Sequence, residues 1–469
     1  MPSTVRKTVV TIGLFLTLSF FICVTPNVRV EAQPRIFVVP DSYNSIQEAV
    51  DRAGYGDTVL VRSGTYINQT VVIDKPLSLV GENKTNTRIV GDWSLNGTVI
   101  LVRHDSVTVQ NLTLSSVGGS GSSGRGVHLL HVQNCSVSNC NSMNNGIGVW
   151  LFGSSENTIE DNYMVSEHTI PFSAGIKLQD SHYNVILRNN VTDYENGFGI
   201  ILDTSTGNNL TGNQISNNYH GIWLQASNNN NLNDNNVSLT RNIFVRSSEQ
   251  VRLGSFGIRL FSSAKNTIAS NNVLSVPKGI QIVASSYFNL VENNTMTNST
   301  YGLELANNSS HNLILGNKIS NNVYGLEIKY ASNNAISANN ITDNLVGATF
   351  EDSSNNLVYH NNFVGNAKHV EVTETDDNSA SDLVNCFDDG FPSGGNYWDD
   401  YTGADANQNG IGDTPYFIAE NNQDNHPIMN PVDIATIPEF TFWLVLPLFL
   451  GVTLLVAVCR KKLLKLHSY

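Results

Sequence analysis

The chain has 469 residues, of which 14% are charged and 40% hydrophobic, with a formal net charge of −14. That acidity argues against nucleic acid and anionic lipid surfaces as partners and leaves glycans, cations and other proteins open. The hydrophobic residues recur at regular spacing, which excludes disorder in spite of the low charge density.

In chain order, Arg6-Lys7, the apolar run from Val9 to Val24 and the exit Val30-Glu31-Ala32 form a secretory signal over 1–32, with an uncleaved anchor as the alternative. Residues 33–117 hold an N-terminal cap and the first coils of a solenoid. Ser45-Ile46-Gln47-Glu48 is a Ser-x-x-Glu capping box, and Ile46, Ala49, Val50 and Ala53 share one helical face. A short helix there would plug an otherwise open core and its strand edges. Thr58 to Val61, Val71 to Ile73, Leu77 to Val80, Val99 to Val102 and Val107 to Val109 are predicted strands.

Residues 118–370 are repeats. Gly-apolar-x-apolar recurs at Gly126, Gly148, Gly175, Gly199, Gly221, Gly257, Gly279, Gly302, Gly325 and Gly347, mostly in steps of 22 to 24 residues. Nine residues after Gly148, Gly175 and Gly257 stands an Asn (Asn157, Asn184, Asn266), and a second, often doubled, Asn follows. Short period-two strands between Asn- and Gly-rich corners fit one coil of a right-handed parallel β-helix; long amphipathic runs and a leucine framework are both missing. Asn suits the corners because it tolerates the left-handed conformation and its amide pairs locally or with the coil above. The fold class is therefore all-β.

Along each repeat the second residue after the glycine points outward. That column includes Trp150, Lys177, Trp223 and Arg259, and the column two residues on includes Gln179, Asp203 and Gln225. Trp150 and Trp223, three coils apart, would lie ~14 Å apart on one face. A glycan could stack on these indoles while Gln179 and Gln225 bind hydroxyls. An inserted loop, Asn242 to Leu253, covering the face is the alternative. Asp180, Asp203, Lys177, Arg259 and Glu249 are the groups from which a catalytic set could be gathered, although no paired-Asp motif stands out.

Residues 371–436 form a C-terminal cap. Asp405, Asn407, Asn409, Ile411 (through its carbonyl) and Asp413 have the spacing of a Ca²⁺ loop with Gly410 at the sixth place. Tyr416 at the twelfth excludes an ordinary EF-hand, and an Asx-turn loop without metal is the alternative. Of five cysteines, Cys135 and Cys140 either bridge one turn or are small buried residues, and Cys386 has no evident partner. Sequons such as Asn68, Asn190, Asn209 and Asn236 make glycosylation plausible on an exported chain. Over 437–469, Phe440 to Cys459 is long enough to cross a bilayer, and Arg460, Lys461, Lys462 and Lys465 keep its far end inside, so the solenoid is expected outside.

The opening Ser45 to Val50, then Gly56-Asp57-Thr58 to Tyr66, and the closing Gly395-Asn396-Tyr397-Trp398-Asp399-Asp400-Tyr401 with Gly410 to Tyr416 and His426 to Met429, resemble NosD-type and pectin-lyase-like β-helix proteins. Pro438-Glu439-Phe440 resembles an archaeal surface-sorting signal. The resemblance implies an accessory role in copper-enzyme maturation or carbohydrate work. Copper would want clustered His, Met or Cys, and this chain has 5 Met and scattered His, so copper delivery is not expected. The expectation is a monomeric, surface-anchored β-helix that binds glycans or envelope proteins without catalysis. The alternative is an extracellular polysaccharide lyase or glycoside hydrolase.

Overall fold

The computed structural model describes residues 33–92, 94–116, 124–166, 171–238, 254–374 and 383–434. The predicted secretory signal, Asn242 to Leu253, Glu249 and the predicted span Phe440 to Cys459 lie outside the described residues. Among the described residues no helix is long and apolar enough to cross a membrane.

Three parallel sheets run the length of the repeats. One has 14 strands, from Ile36–Val39 to Leu357–Tyr359; a second has 14, from Gly64–Ile67 to Tyr397–Trp398; the third has 13, from Val71–Ile73 to Lys368–Thr373. Each strand pairs with its equivalent one coil on, so the chain is a right-handed parallel β-solenoid of about 14 turns. In the three-residue strands the central side chain is buried, as in Ser136–Ser138, Thr158–Glu160 and Asn209–Thr211. The six-residue strands of the third sheet bury the first and third residues after their glycine, such as Val149 and Leu151. Inward residues from all three sheets join one cluster from Phe37 to Trp398.

The repeating glycine has a steric cause. A Cβ on Gly221 would sit 2.2 Å from the Gly257 carbonyl oxygen, because successive long strands approach closely where they begin. The repeating Asn has a hydrogen-bonding cause. Asn157, Asn184, Asn208, Asn230, Asn266, Asn289 and their successors are buried, and each amide bonds to the next along the axis, as in Asn184 Nδ2 to Asn208 Oδ1 at 3.0 Å. A second such column runs from Asn162 through Asn189 and Asn213 to Asn361 and Asn396.

Cys135 and Cys140 occupy the first place of the two columns, their amides donating to Asn157 and Asn162. Neither is in a disulfide, so the bridge between them is not formed. Burial pushes the Cys135 thiol up to about 11 and Cys140 to about 12.

At the N-terminal end a helix, Ile46–Arg52, starts as the capping box predicts. The Glu48 amide donates to Ser45 Oγ at 3.1 Å, and Glu48 Oε2 accepts from the Asn44 amide at 3.2 Å. Ile46, Ala49 and Val50 are buried against the first strands. At the other end Trp398, 1% exposed, is stacked on Phe363 at 4.5 Å and on Tyr416 at 4.3 Å. Its Nε1 donates to Asp424, which also accepts from the Asn396 amide and so ends the second Asn column.

Candidate functional site

The outward residues of the long-strand sheet stack in register because each strand is paired one coil on. One column runs His128, Trp150, Lys177, Ile201, Trp223, Arg259, Gln281, Glu304, Glu327 and Thr349. Two residues along, Phe152, Gln179, Asp203, Gln225 and Phe261 form another. Trp150, Lys177, Gln179, Asp203, Trp223, Gln225 and Arg259 therefore share one face. Asp180 does not: it sits at φ 48 in the corner after its strand.

The indoles are parts of the stack rather than free platforms. Trp150 lies on His128 with ring centroids 4.6 Å apart, with the Arg125 guanidinium 4.2 Å and the Lys177 ammonium 5.4 Å from its ring. Trp223 lies on Phe198 at 5.1 Å. Among the described residues, six nitrogens on this face are buried without a partner: Arg125 Nε, His128 Nε2, Trp150 Nε1, His220 Nδ1, Trp223 Nε1 and Arg259 Nε. Burial, with Arg125 nearby, holds His128 down at about 4; burial and Arg259 hold His220 at about 3, so both imidazoles are neutral at pH 7. Burial also lowers Lys177, Arg125 and Arg259 from their ordinary values.

Further along, the face turns acidic. Glu304 is ion-paired with Lys278 Nζ at 2.7 Å and accepts from Gln281 Nε2 at 2.8 Å. Glu327, one rung on, has no such ion pair among the described residues; burial and the neighbouring Glu304 push it up to about 7. Tyr301 and Tyr324 stack beside them at 5.2 Å, and Lys329 pairs with Glu351 at 2.6 Å. The sequence places both glutamates in the outward column. Their opposite environments escape a sequence reading, because Lys278, which reaches Glu304 from the start of the neighbouring strand, lies outside the outward column.

In the C-terminal segment the predicted Ca²⁺ residues form a closed loop. Asp405 accepts from the Asn409 and Gly410 amides, Asn407 from Asn409, Asn409 from Ile411, and Asp413 from Ala406 at 2.8 Å. Gly410 has φ +87, which only glycine adopts freely. The Ile411 side chain is buried, and its backbone bridges to Ile428.

The parallel β-solenoid resembles pectin-lyase-like β-helix proteins in fold. The alginate lyase AlyF-OU02, solved as a complex, aligns with a TM-score of 0.52 at 12% identity, covering 72% of this chain and 86% of that one. The catalytic domain of a GH87 α-1,3-glucanase in complex with nigerose aligns at 0.43 and 14% identity, covering 65% of this chain and 66% of that domain's length. A Dettilon tailspike protein aligns at 0.48 and 12% identity, covering 72% and 68%. These likenesses are of fold. No curated protein matches in sequence. The profile of NosD, described as a periplasmic copper-binding protein, matches residues 50–255 and 236–403, and the chain belongs to that family.

A copper centre does not fit the donors present. Copper favours assembled thiolate, thioether or imidazole ligands. Here the buried thiols of Cys135 and Cys140 start separate Asn columns and hold their protons well above neutral pH. The one group of three or more His, Cys, Asp or Glu ligand atoms brought together among the described residues is His369, Asp399 and Asp400.

Proposed function

We propose that this protein binds an acidic glycan along the long-strand face, on the outer side of a membrane. The observation that carries the reading is the row of buried nitrogens without partners among the described residues from Arg125 to Arg259, four of which (Arg125 Nε, Trp150 Nε1, Trp223 Nε1 and Arg259 Nε) are N–H donors, on a molecule whose Asn columns pair their own amides. A buried polar group left unpaired costs about 1–3 kcal/mol, so such a row supports a ligand that supplies oxygen acceptors. Arg125, Lys177 and Arg259 make that ligand anionic; Gln179 and Gln225 suit its hydroxyls. Each of the six nitrogens is shut off from bulk water, so the ligand must displace what covers it.

Titration calorimetry of the purified chain with acidic and neutral oligosaccharides tests this. Acidic oligosaccharides are expected to bind, and Lys177→Ala and Arg259→Ala to weaken binding roughly 10-fold each, the scale of one charge-assisted hydrogen bond. Intact cells displaying the chain should capture the labelled oligosaccharide. Absence of binding to any acidic glycan, or binding indifferent to both variants, removes the reading; binding by the purified chain but not by cells removes the placement.

A second reading rests on Glu304 and Glu327. Adjacent rungs lie ~4.8 Å apart, close to the spacing of the carboxylates in retaining glycosidases. Glu327, titrating near 7, would protonate the leaving glycosidic oxygen, and Glu304 would stabilise or attack the sugar carbon before water completes hydrolysis. Release of reducing ends would then fall as pH rises through about 7, as Glu327 loses its proton. Glu327→Gln would abolish release yet keep binding. No release at any pH leaves binding alone.

A further inference from the structure

His369 lies on the last long strand, 7% exposed, and faces the segment that closes the solenoid. Its Nε2 is 2.8 Å from Asp399 Oδ1 and 3.3 Å from Asp400 Oδ1. The three ligand atoms all lie within 4.8 Å of one another. Each carboxylate is held from behind: Asp399 Oδ2 accepts from the Gly365 amide at 2.7 Å, and Asp400 Oδ2 from the Tyr416 hydroxyl at 3.2 Å. Each therefore turns a free oxygen toward the same imidazole nitrogen.

Charge is unbalanced at this point. Two carboxylates meet one imidazole, and the adjacent Lys368 ammonium is taken by Glu371 at 2.8 Å. The cluster borders a cavity of about 240 Å³, lined among others by Asn366, Lys368, Tyr416 and Phe417, which gives room for water beside the three ligands.

We propose that His369, Asp399 and Asp400 bind a divalent first-row cation, Zn²⁺ fitting best, that ties the C-terminal segment to the last coil. Bonds of ~2.1 Å at the tetrahedral angle separate ligand atoms by ~3.4 Å. Nε2 and Asp400 Oδ1 already stand at 3.3 Å; Asp399 Oδ1 must withdraw by roughly half an ångström, which a carboxylate rotation supplies. A nitrogen and two hard oxygens suit Zn²⁺ or Mn²⁺ better than a soft cuprous ion. Binding moves the imidazole proton to Nδ1, which faces Asn366 Nδ2 at 3.4 Å, beyond good hydrogen-bond distance, so little is lost there.

Calorimetry on the full chain, stripped with chelator and then titrated with ZnCl₂ alone, tests the site. One ion per chain should bind and raise the melting temperature, because the folded state alone presents the three ligands. Asp400→Asn, at an exposed position, should fold with an unchanged melting temperature in chelator and lose the Zn²⁺-dependent rise. His369→Ala should lose it too; if that buried change prevents folding, Asp400→Asn decides. An absent rise, or one that Asp400→Asn leaves intact, overturns the proposal and makes the cluster a hydrogen-bonded latch.

Discussion

Asn317 takes part in five hydrogen bonds through one side chain. Its Nδ2 donates to Val291 O, Leu315 O and Asn339 Oδ1, and its Oδ1 accepts from the Asn294 amide and from Asn294 Nδ2. Asn321, four residues on, is exposed and sits at φ 58. The sequence shows both as corner Asn, and two reasons for Asn at corners were available, left-handed tolerance and pairing along the axis. The structure separates them. The left-handed corners also accept Tyr183, Arg188 and Phe288, so the recurrence of Asn reports the axial columns. Asn317→Ala strands buried donors and acceptors on both neighbouring coils and should cost about 3 kcal/mol in urea unfolding. Asn321→Gly keeps an allowed conformation and should stay within about 0.5 kcal/mol. Equal losses at the two positions would refute this division of labour.

Among the elements, the strands were legible because period-two burial is written in the residues, and the N-terminal helix because its capping box is local. The loop from Asp405 to Asp413 was legible as a ligand spacing, while its geometry serves either use: Asn407 and Asn409 each accept from the amide two residues on, as in Asx turns, and the same Asp and Asn side chains fit a cation loop. We expect Ca²⁺, binding the folded loop, to raise the melting temperature, and Asp405→Ala to abolish that rise. A Ca²⁺ response unchanged in Asp405→Ala would leave the loop as a turn. The outward ladder was legible by column but not by contact: the period shows which residues face out, while the stacking of Trp150 on His128 depends on side-chain angles set by the neighbouring rung.

For the whole molecule, length is nearly a free variable. Leu290 pairs with Leu313, and Asn289 pairs with Asn312, so residues 290–312 make up one full turn. Their excision removes one strand from each sheet and rejoins Asn289 to Leu313 with every column in step. Such a shortened chain should keep its β-rich circular dichroism and a cooperative melt, a few degrees lower, since a solenoid is stabilised by nearest-neighbour contacts. Removal of residues 290–300 instead joins Asn289 to Tyr301, turns the remaining strands onto the wrong faces, and should prevent cooperative folding. A shortened chain of either kind that melts alike would show that register between coils is unimportant.

The axial Asn columns also bear on how this protein ages. Asparagine slowly hydrolyses to aspartate, a change of one atom that hardly alters shape. At an exposed corner such as Asn321 it adds a charge to water. Within a column it replaces an NH₂ that donates with an oxygen that can only accept, facing the accepting oxygen of the next side chain. Such a lesson in isosteres is harsh: a single converted residue in the row from Asn157 to Asn422 sets two acceptors against each other in a dry interior and interrupts the chain of amides on either side. The repeat that makes the solenoid easy to lengthen thus also lets one converted side chain break a column at a single rung.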